Sequence, residues 1–139
     1  MTTPRDLVES FYDDVWNRRD VDAARRILAP DFRFRGSLGP EKRGLDGFVT
    51  YLDAVHTALG GFTCIIEDLV ETPGRAAARM LFRGVHQGEL FGAPATGKMI
   101  EWSGAAFFTV RQEQISELWV LGDVDAVKWQ LGPAAASDF

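Results

Sequence analysis

Asp123 is the side chain whose place in the sequence best suits acid/base chemistry. It follows Gly122 at the end of a predicted strand, and the two-residue alternation of strands places it on the same face as Trp119 and Leu121. A carboxyl group in an apolar pocket has a raised pKa and can exchange protons near neutral pH. The position directly before a predicted helix also suits an N-cap aspartate. The sequence leaves both roles open.

His86 is the second candidate for a chemical role. It alternates with Met80 and Phe82 along a predicted strand, so we expect its imidazole on the interior face. There it could donate a hydrogen bond to a substrate oxygen that gains negative charge during a reaction. The alternative is a structural histidine that orders the loop at 88–97. The other histidine, His56, is expected on the solvent side of a predicted helix.

Arginine and aromatic side chains are candidates for binding a substrate. Arg33 and Arg35 share one face of a short predicted strand, where a guanidinium could bind a carboxylate or an ester carbonyl, or form surface ion pairs. The chain has four tryptophans, two tyrosines and ten phenylalanines. These rings could line a cavity for a flat polycyclic molecule, although core packing must account for most of them.

The elements that position these side chains follow from hydrophobic periodicity. The pattern predicts helices at 4–16, 21–28 and 48–59, strands at 32–35, 62–71, 75–87, 98–110 and 114–121, and a last helical segment at 124–131. Because the last four strands follow one another without helices between them, the sheet is expected to be largely antiparallel. The fold class is therefore α+β. A chain of 139 residues predicts a single domain, with an ordered core at about 4–132.

Composition limits the classes of partner. Fifteen Lys and Arg residues against twenty Asp and Glu give a net charge of −5, which argues against a general binder of nucleic acid or anionic membranes. Cys64 is the only cysteine, so no metal site or disulfide is predicted. No apolar run approaches about 18 residues. Charges occur throughout residues 1–20, so we expect neither a membrane span nor a signal peptide, and a cytoplasmic location.

Four segments carry a recognisable family pattern between about residues 6 and 132. They read FYDDVWN at 11–17 followed by Asp20 and LAPDF at 28–32; GVHQGELFGAPATGK at 84–98; ELW at 117–119 with Asp123 four residues after the tryptophan; and QLG at 130–132. This pattern resembles the SnoaL-like polyketide cyclase (ester cyclase) family of the nuclear transport factor 2-like superfamily. The resemblance implies a cone-shaped fold, in which a curved, mostly antiparallel sheet and three N-terminal helices enclose a pocket.

The resemblance also implies an activity. Cyclases of this family are similar to intramolecular aldol catalysts: a base removes a proton from an activated carbon, and the enolate attacks a carbonyl of the same molecule without any cofactor. Asp123 matches the acid/base position, with His86 as the group that stabilises the developing oxygen. The implied substrate is an enolisable polyketide-like or other apolar molecule. The alternative is a non-catalytic small-molecule-binding or scaffold protein of the same fold.

Predicted substrate contacts complete this hypothesis. In the geometry of the family, Tyr12 and Trp16 belong to the pocket, and Arg35 and Trp119 are added as further substrate-binding residues. The chain departs from many relatives at Leu118, where they have histidine, and at Arg33 and Arg35, where they have histidine or asparagine. The other side of the sheet is expected to be too apolar to face water, which predicts a homodimer through the sheet. The residues assigned to that side are Ile100, Trp102, Phe108 and Val120.

Overall fold

The computed structural model describes residues 2–133 and 135, and these form an α+β fold. The helices are α1 (Pro4–Ser10), which continues into a π-helical turn (Phe11–Trp16), α2 (Val21–Ile27), α3 (Gly44–Ala58) and α4 (Val124–Leu131). The strands are β1 (Leu28–Arg35), β2 (Lys42–Arg43), β3 (Leu59–Thr72), β4 (Arg75–His86), β5 (Met99–Arg111) and β6 (Gln114–Gly122). Among the described residues, no helix combines the length and the apolar character needed to span a bilayer.

The six strands form one curved sheet in the order β2-β1-β6-β5-β4-β3. Strands β3 to β6 are an antiparallel meander, as predicted, and β1 joins the sheet by pairing in parallel with β6. The tight turn between β5 and β6 has Gln112 and Glu113 at φ values of 51° and 60°. Two left-handed residues in succession are typical of the hairpin turn that matches the twist of the flanking strands.

Helix α1 is fixed at its start and widened at its end. Thr3 and Asp6 form a capping box that satisfies the first backbone N–H groups. After Ser10 the backbone widens into the π-helical turn, a form often found at functional sites. The buried residues of this turn are Phe11, Tyr12, Val15 and Trp16.

The two faces of the sheet are reversed relative to the prediction. The four residues assigned to an outer, dimer-forming face are buried against the helices: Ile100, Trp102, Phe108 and Val120, each no more than 4% exposed. Trp119 and Leu121, which were assigned to the pocket face, are 43% and 52% exposed. Alternation in a strand separates two faces but does not say which of them the helices cover. The assignment of these six residues was therefore wrong.

Smaller differences concern element boundaries. Strand β1 begins at Leu28, directly after α2, rather than at residue 32, and the two-residue strand β2 was not predicted. Helix α3 passes into β3 without a loop, so Gly60 and Gly61 belong to the strand instead of ending the helix. A short edge strand such as β2 has too few residues to show any periodicity.

Candidate functional site

A cavity lined mainly by aromatic rings lies between the inner face of the sheet, the π-helical turn that follows α1, and helix α3. Its free volume is about 20 Å³, which is room for about one water molecule. Eight aromatic residues line it: Phe11, Tyr12, Trp16, Phe34, Tyr51, Phe62, Phe82 and Trp102. The remaining lining residues are Ser37, Leu38, Val55, Cys64 and Val120. We call this space the inner cavity.

The rings of the inner cavity support one another. Trp16 meets Tyr51 edge to face at 5.9 Å between ring centroids and Phe62 at 5.4 Å. His56 stacks on Trp16 at 6.0 Å between ring centroids, and its Nε2 donates a hydrogen bond to the Trp16 carbonyl at 3.0 Å. Half-burial lowers the pKa of His56. His56 thus braces a cavity wall, whereas the sequence placed it on the solvent side.

The hydroxyl of Tyr12 is the unusual polar group of the inner cavity. It is buried and has no hydrogen-bond partner among the described residues. Burial raises the pKa of Tyr12 well above its usual value, and the nearby Cys64 and Tyr51 raise it further. The phenol therefore keeps its proton at physiological pH. It can donate one hydrogen bond to a ligand, or accept one from it, but it does not ionise.

Tyr51 is the second phenol of the inner cavity, and its hydroxyl, unlike that of Tyr12, has hydrogen-bond partners. Its hydroxyl oxygen accepts the backbone N–H of Leu38 at 3.0 Å. Burial raises the pKa of Tyr51 to about 12, although the hydrogen bonds from Leu38 and Ser37 partly offset this rise. Gly36 allows the close approach, because a Cβ there would collide with the Tyr51 hydroxyl. The segment 36–38 is thereby held over the cavity.

Two other polar groups are engaged in the cavity wall. Ser37 Oγ accepts the indole N–H of Trp102 at 3.2 Å. Asn17 bridges to the backbone of Cys64, whose N–H donates to Asn17 Oδ1 at 2.8 Å while Asn17 Nδ2 donates to the Cys64 carbonyl at 3.0 Å. Burial raises the pKa of the Cys64 thiol well above its usual value, so this thiol is not a ready nucleophile.

Asp123 lies at the N-cap of α4 and does not line the inner cavity. Its Oδ1 accepts the N–H of Ala126 at 3.1 Å, and the side chain is exposed. This is the capping arrangement that the sequence left open. The preceding residue, Gly122, does contact the cavity wall. It packs against Ser37 so tightly that a Cβ on Gly122 would collide with the Ser37 side chain.

His86 is buried at the end of β4, also outside the lining of the inner cavity. Its Nδ1 accepts the N–H of Thr96 at 3.2 Å and lies 2.9 Å from Thr96 Oγ1. Because Nδ1 is an acceptor, the neutral ring carries its proton on Nε2, which has no partner among the described residues. These contacts hold the loop at 88–97, which is the structural alternative given above.

The four predicted substrate-binding residues divide into two pairs. Tyr12 and Trp16 lie together in the inner cavity. Arg35 and Trp119 lie on the outer side of the β1–β6 pair, where the guanidinium is 5.5 Å from the indole centroid and donates to the Val120 carbonyl. The structure therefore does not bring the second pair to the cavity, because the face of β6 that carries Trp119 points away from the helices.

The sequence did not single out three further residues of the inner cavity, of which two are polar. Tyr51 lies three residues after Phe48 on the buried face of α3, so helical spacing could have identified it. Ser37 and Leu38 belong to an irregular segment, for which periodicity offers no signal. No group of three or more His, Cys, Asp or Glu side chains able to hold a metal ion occurs in the described part of the chain.

Comparison with known proteins places this architecture in a family. The family model for SnoaL-like polyketide cyclase matches residues 6–131. No match was found among curated protein sequences.

Solved structures show the same fold. A SnoaL-like polyketide cyclase from Agrobacterium tumefaciens strain C58 is 22% identical, with 95% of this chain and 100% of that chain covered and a TM-score of 0.78. IdmH from Streptomyces antibioticus, provisionally assigned as a polyketide cyclase, is 26% identical over 93% of this chain and 98% of its own, with a TM-score of 0.81. A protein from Jannaschia sp. CCS1, provisionally assigned as a SnoaL-like polyketide cyclase, is 18% identical over 93% of this chain and 91% of its own, with a TM-score of 0.84. Since the family model covers most of the sequence, the chain belongs to the SnoaL-like polyketide cyclase family.

Proposed function

We propose that the protein binds a small, largely apolar carbonyl compound in the inner cavity and promotes cyclase-like acid/base chemistry on it. The observation that carries this proposal is the buried hydroxyl of Tyr12, which lies among aromatic walls and has no hydrogen-bond partner within residues 2–133 and 135. A buried hydroxyl without a partner costs about 1–3 kcal/mol, and a ligand oxygen would remove that cost. Membership of the cyclase family supports the same class of function.

The proposed reaction needs an enolisable substrate with two carbonyl groups. A base removes a proton from the carbon next to one carbonyl, and the electron pair of that C–H bond becomes the enolate. The enolate carbon attacks the second carbonyl, and the new alkoxide receives a proton, so the product is an isomer of the substrate. Tyr12, held neutral by its raised pKa, donates a hydrogen bond to the oxygen that becomes negative.

Asp123 is the proposed acid/base group. Only its Oδ1 has a hydrogen-bond partner among the described residues, which leaves the second carboxylate oxygen available for a proton. Its neighbour Gly122 packs on Ser37, a residue of the cavity wall, so the backbone of Asp123 is one residue away from a contact with that wall. His86 acts in this proposal by positioning the loop at 88–97 through Thr96.

The substitution Asp123→Asn tests the role of the carboxylate. An amide keeps the volume and can still cap α4 through its carbonyl oxygen, so the free energy of unfolding should fall by about 1 kcal/mol or less. Turnover of an enolisable polyketide-like diketone, followed by mass spectrometry of the cyclised product, should fall by about 10²–10⁴-fold. Asp20→Asn, which changes the cap of α2, is the matched control. Unchanged turnover by Asp123→Asn would exclude the proposed base.

A second candidate function is non-catalytic binding of the same class of molecule. It is favoured by one observation: no carboxylate or imidazole is among the residues that line the inner cavity, and Asp123 is exposed and capping. In that case a carbonyl compound would bind and remain chemically unchanged. Substitution of Asp123 would then alter the free energy of unfolding and leave ligand affinity as it was.

We also propose that the protein is a homodimer, formed through the outer face of the sheet. The residues that support this are Val70, Phe107, Trp119 and Leu121, which are 43–61% exposed. They are adjacent, because Val70 pairs with Ala77, Ala77 with Phe107, and Phe107 with Trp119 across neighbouring strands. An exposed apolar patch of this kind is typical of a contact between subunits.

A further inference from the structure

The inner cavity is too small for the ligand class that its walls suit. Its free volume is about 20 Å³. A cavity that binds a single benzene ring has about 150 Å³, and small-molecule sites in general have about 300–1,000 Å³. A molecule with even one ring therefore needs space that the inner cavity lacks.

A larger space lies directly outside. A groove of about 290 Å³ runs between α3, the segment 36–42 and the loop at 88–97. We call it the outer groove. It shares Leu38, Tyr51 and Val55 with the inner cavity, so these three side chains separate the two spaces.

We infer that the outer groove is the second half of the binding site, and that Tyr51 and Leu38 form a movable partition between its halves. This inference rests on the proposed function. One molecule would place a carbonyl-bearing ring beside Tyr12 and its remaining apolar body in the outer groove. With both halves joined, the volume enters the range of ordinary small-molecule sites.

The partition is held by hydrogen bonds of the Tyr51 hydroxyl with Leu38 and Ser37, which can break without unfolding a helix or a strand. The Leu38 N–H donates to the Tyr51 hydroxyl at 3.0 Å, and Leu38 lies in the irregular segment between β1 and β2. Tyr51 and Val55 both lie on α3, so the parts that move are the irregular segment that carries Leu38 and the side chain of Tyr51. Lys42 and Glu89 also line the outer groove, and neither forms an ion pair with another described residue. One charge of each sign favours a neutral polar group at the outer end of the ligand.

The naphthyl ketone prodan is a suitable probe, because it has two fused rings, a carbonyl oxygen and a fluorescence that changes in apolar surroundings. Tyr51→Phe keeps the ring and removes the acceptor of the Leu38 N–H. In stopped-flow measurements, the association rate of prodan with this variant should exceed that of the wild type by about 2- to 12-fold, because the closed partition loses a hydrogen bond.

A substitution in the outer groove tests the second half of the site. Ala54 lines only the outer groove and is exposed on α3, so Ala54→Trp should fill the groove and leave the fold intact. Its affinity for prodan should fall about 10-fold or more, because a ring of the probe can no longer be buried. Thr57→Trp is the matched control: Thr57 is exposed on the same helix and lines neither space.

The outcomes separate this inference from the proposed function. If prodan binds, Tyr12→Phe weakens binding, and both Tyr51→Phe and Ala54→Trp behave as the wild type, the inner cavity is the site and the two-part site is excluded. If Ala54→Trp and Tyr51→Phe change binding as stated and Thr57→Trp does not, the two-part site is supported. Failure of the wild type to bind prodan would contradict both proposals.

Discussion

The hydroxyl of Tyr12 is the group on which ligand binding should depend most directly. It is buried and has no hydrogen-bond partner in the part of the chain that the structure describes, so Tyr12→Phe removes no hydrogen bond found there. The free energy of unfolding should rise by up to about 1–3 kcal/mol, because a buried unsatisfied group is lost. Affinity for prodan should fall, since the donor for its carbonyl oxygen is absent. Thermal unfolding and fluorescence titration measure the two effects.

Tyr51→Phe is the matched comparison for stability. Its hydroxyl accepts the Leu38 N–H, so this variant should lose about 0.5–1.5 kcal/mol of unfolding free energy. The same loss of a phenol hydroxyl would then lower the free energy of unfolding at position 51 but not at position 12. Equal losses in the two variants would show that the Tyr12 hydroxyl has a partner in solution.

Ionisation of the tyrosines provides a pH test. The chain has only two tyrosines, and both have a raised pKa, which for Tyr51 is about 12. Tyrosinate absorbance of the folded protein should therefore be nearly absent at pH 10, where free tyrosine is about half ionised. Because the pKa is higher in the folded state, its stabilising contribution is complete below about pH 10 and is lost as the pH rises toward 12. The protein unfolded in guanidinium is the control. A half-developed signal at pH 10 in the folded protein would contradict the burial of these phenols.

The side chain of Asn17, which follows the π-helical turn, links this helical segment to strand β3. Its amide pairs with the backbone of one β3 residue as a neighbouring strand would. Asn17 exchanges two hydrogen bonds with the backbone of Cys64 just after the π-helical turn. Asn17→Ala leaves a buried N–H and a buried carbonyl unpaired, so the free energy of unfolding should fall by about 1–3 kcal/mol. Chemical denaturation measures this loss.

Arg18→Ala is the control for Asn17→Ala. Arg18 follows directly, and its one ion pair with a described residue is the exposed pair with Asp14, which contributes about 0–1 kcal/mol. A similar loss of stability in both variants would mean that the Asn17 bridge does not hold α1 to β3.

Helices and strands were largely predictable, because each has a buried stripe with a regular period. Pro4 with its Thr3 cap and the break before Val21 identified the first two helices, and the four-strand meander was also confirmed. The π-helical turn and β2 were not predictable, since neither changes the apolar pattern enough to be detected. The candidate site was predicted only in part. Tyr12 and Trp16 line the inner cavity, whereas the choice of sheet face depends on where the helices pack, and this moved Trp119 outward.

The assembly of the whole protein should depend on the outer face of the sheet. The proposed homodimer would bury Phe107, which is 43% exposed in the centre of the apolar patch. Phe107→Glu places a charge there, and burial of an unpaired charge is strongly unfavourable. Light scattering at micromolar concentration should give a dimer for the wild type and a monomer for this variant.

Trp129→Glu serves as the control for assembly. Trp129 is 86% exposed but lies on α4 and not on a strand of the sheet. This variant should therefore remain a dimer. A wild type that is monomeric at micromolar concentration would exclude the proposed interface.

The parallel pairing of β1 with β6 also sets the order in which the chain can fold. Strands β3 to β6 pair with their neighbours in sequence, so this meander can form by successive hairpins. Strand β1 is made early in synthesis but has to wait for β6, because Phe34 pairs with Leu118 and Arg35 with Trp119. Until then the aromatic residues of β1 have no sheet to join and are open to wrong contacts. A truncated chain that ends before β6 should therefore depend on chaperones more than the full chain does.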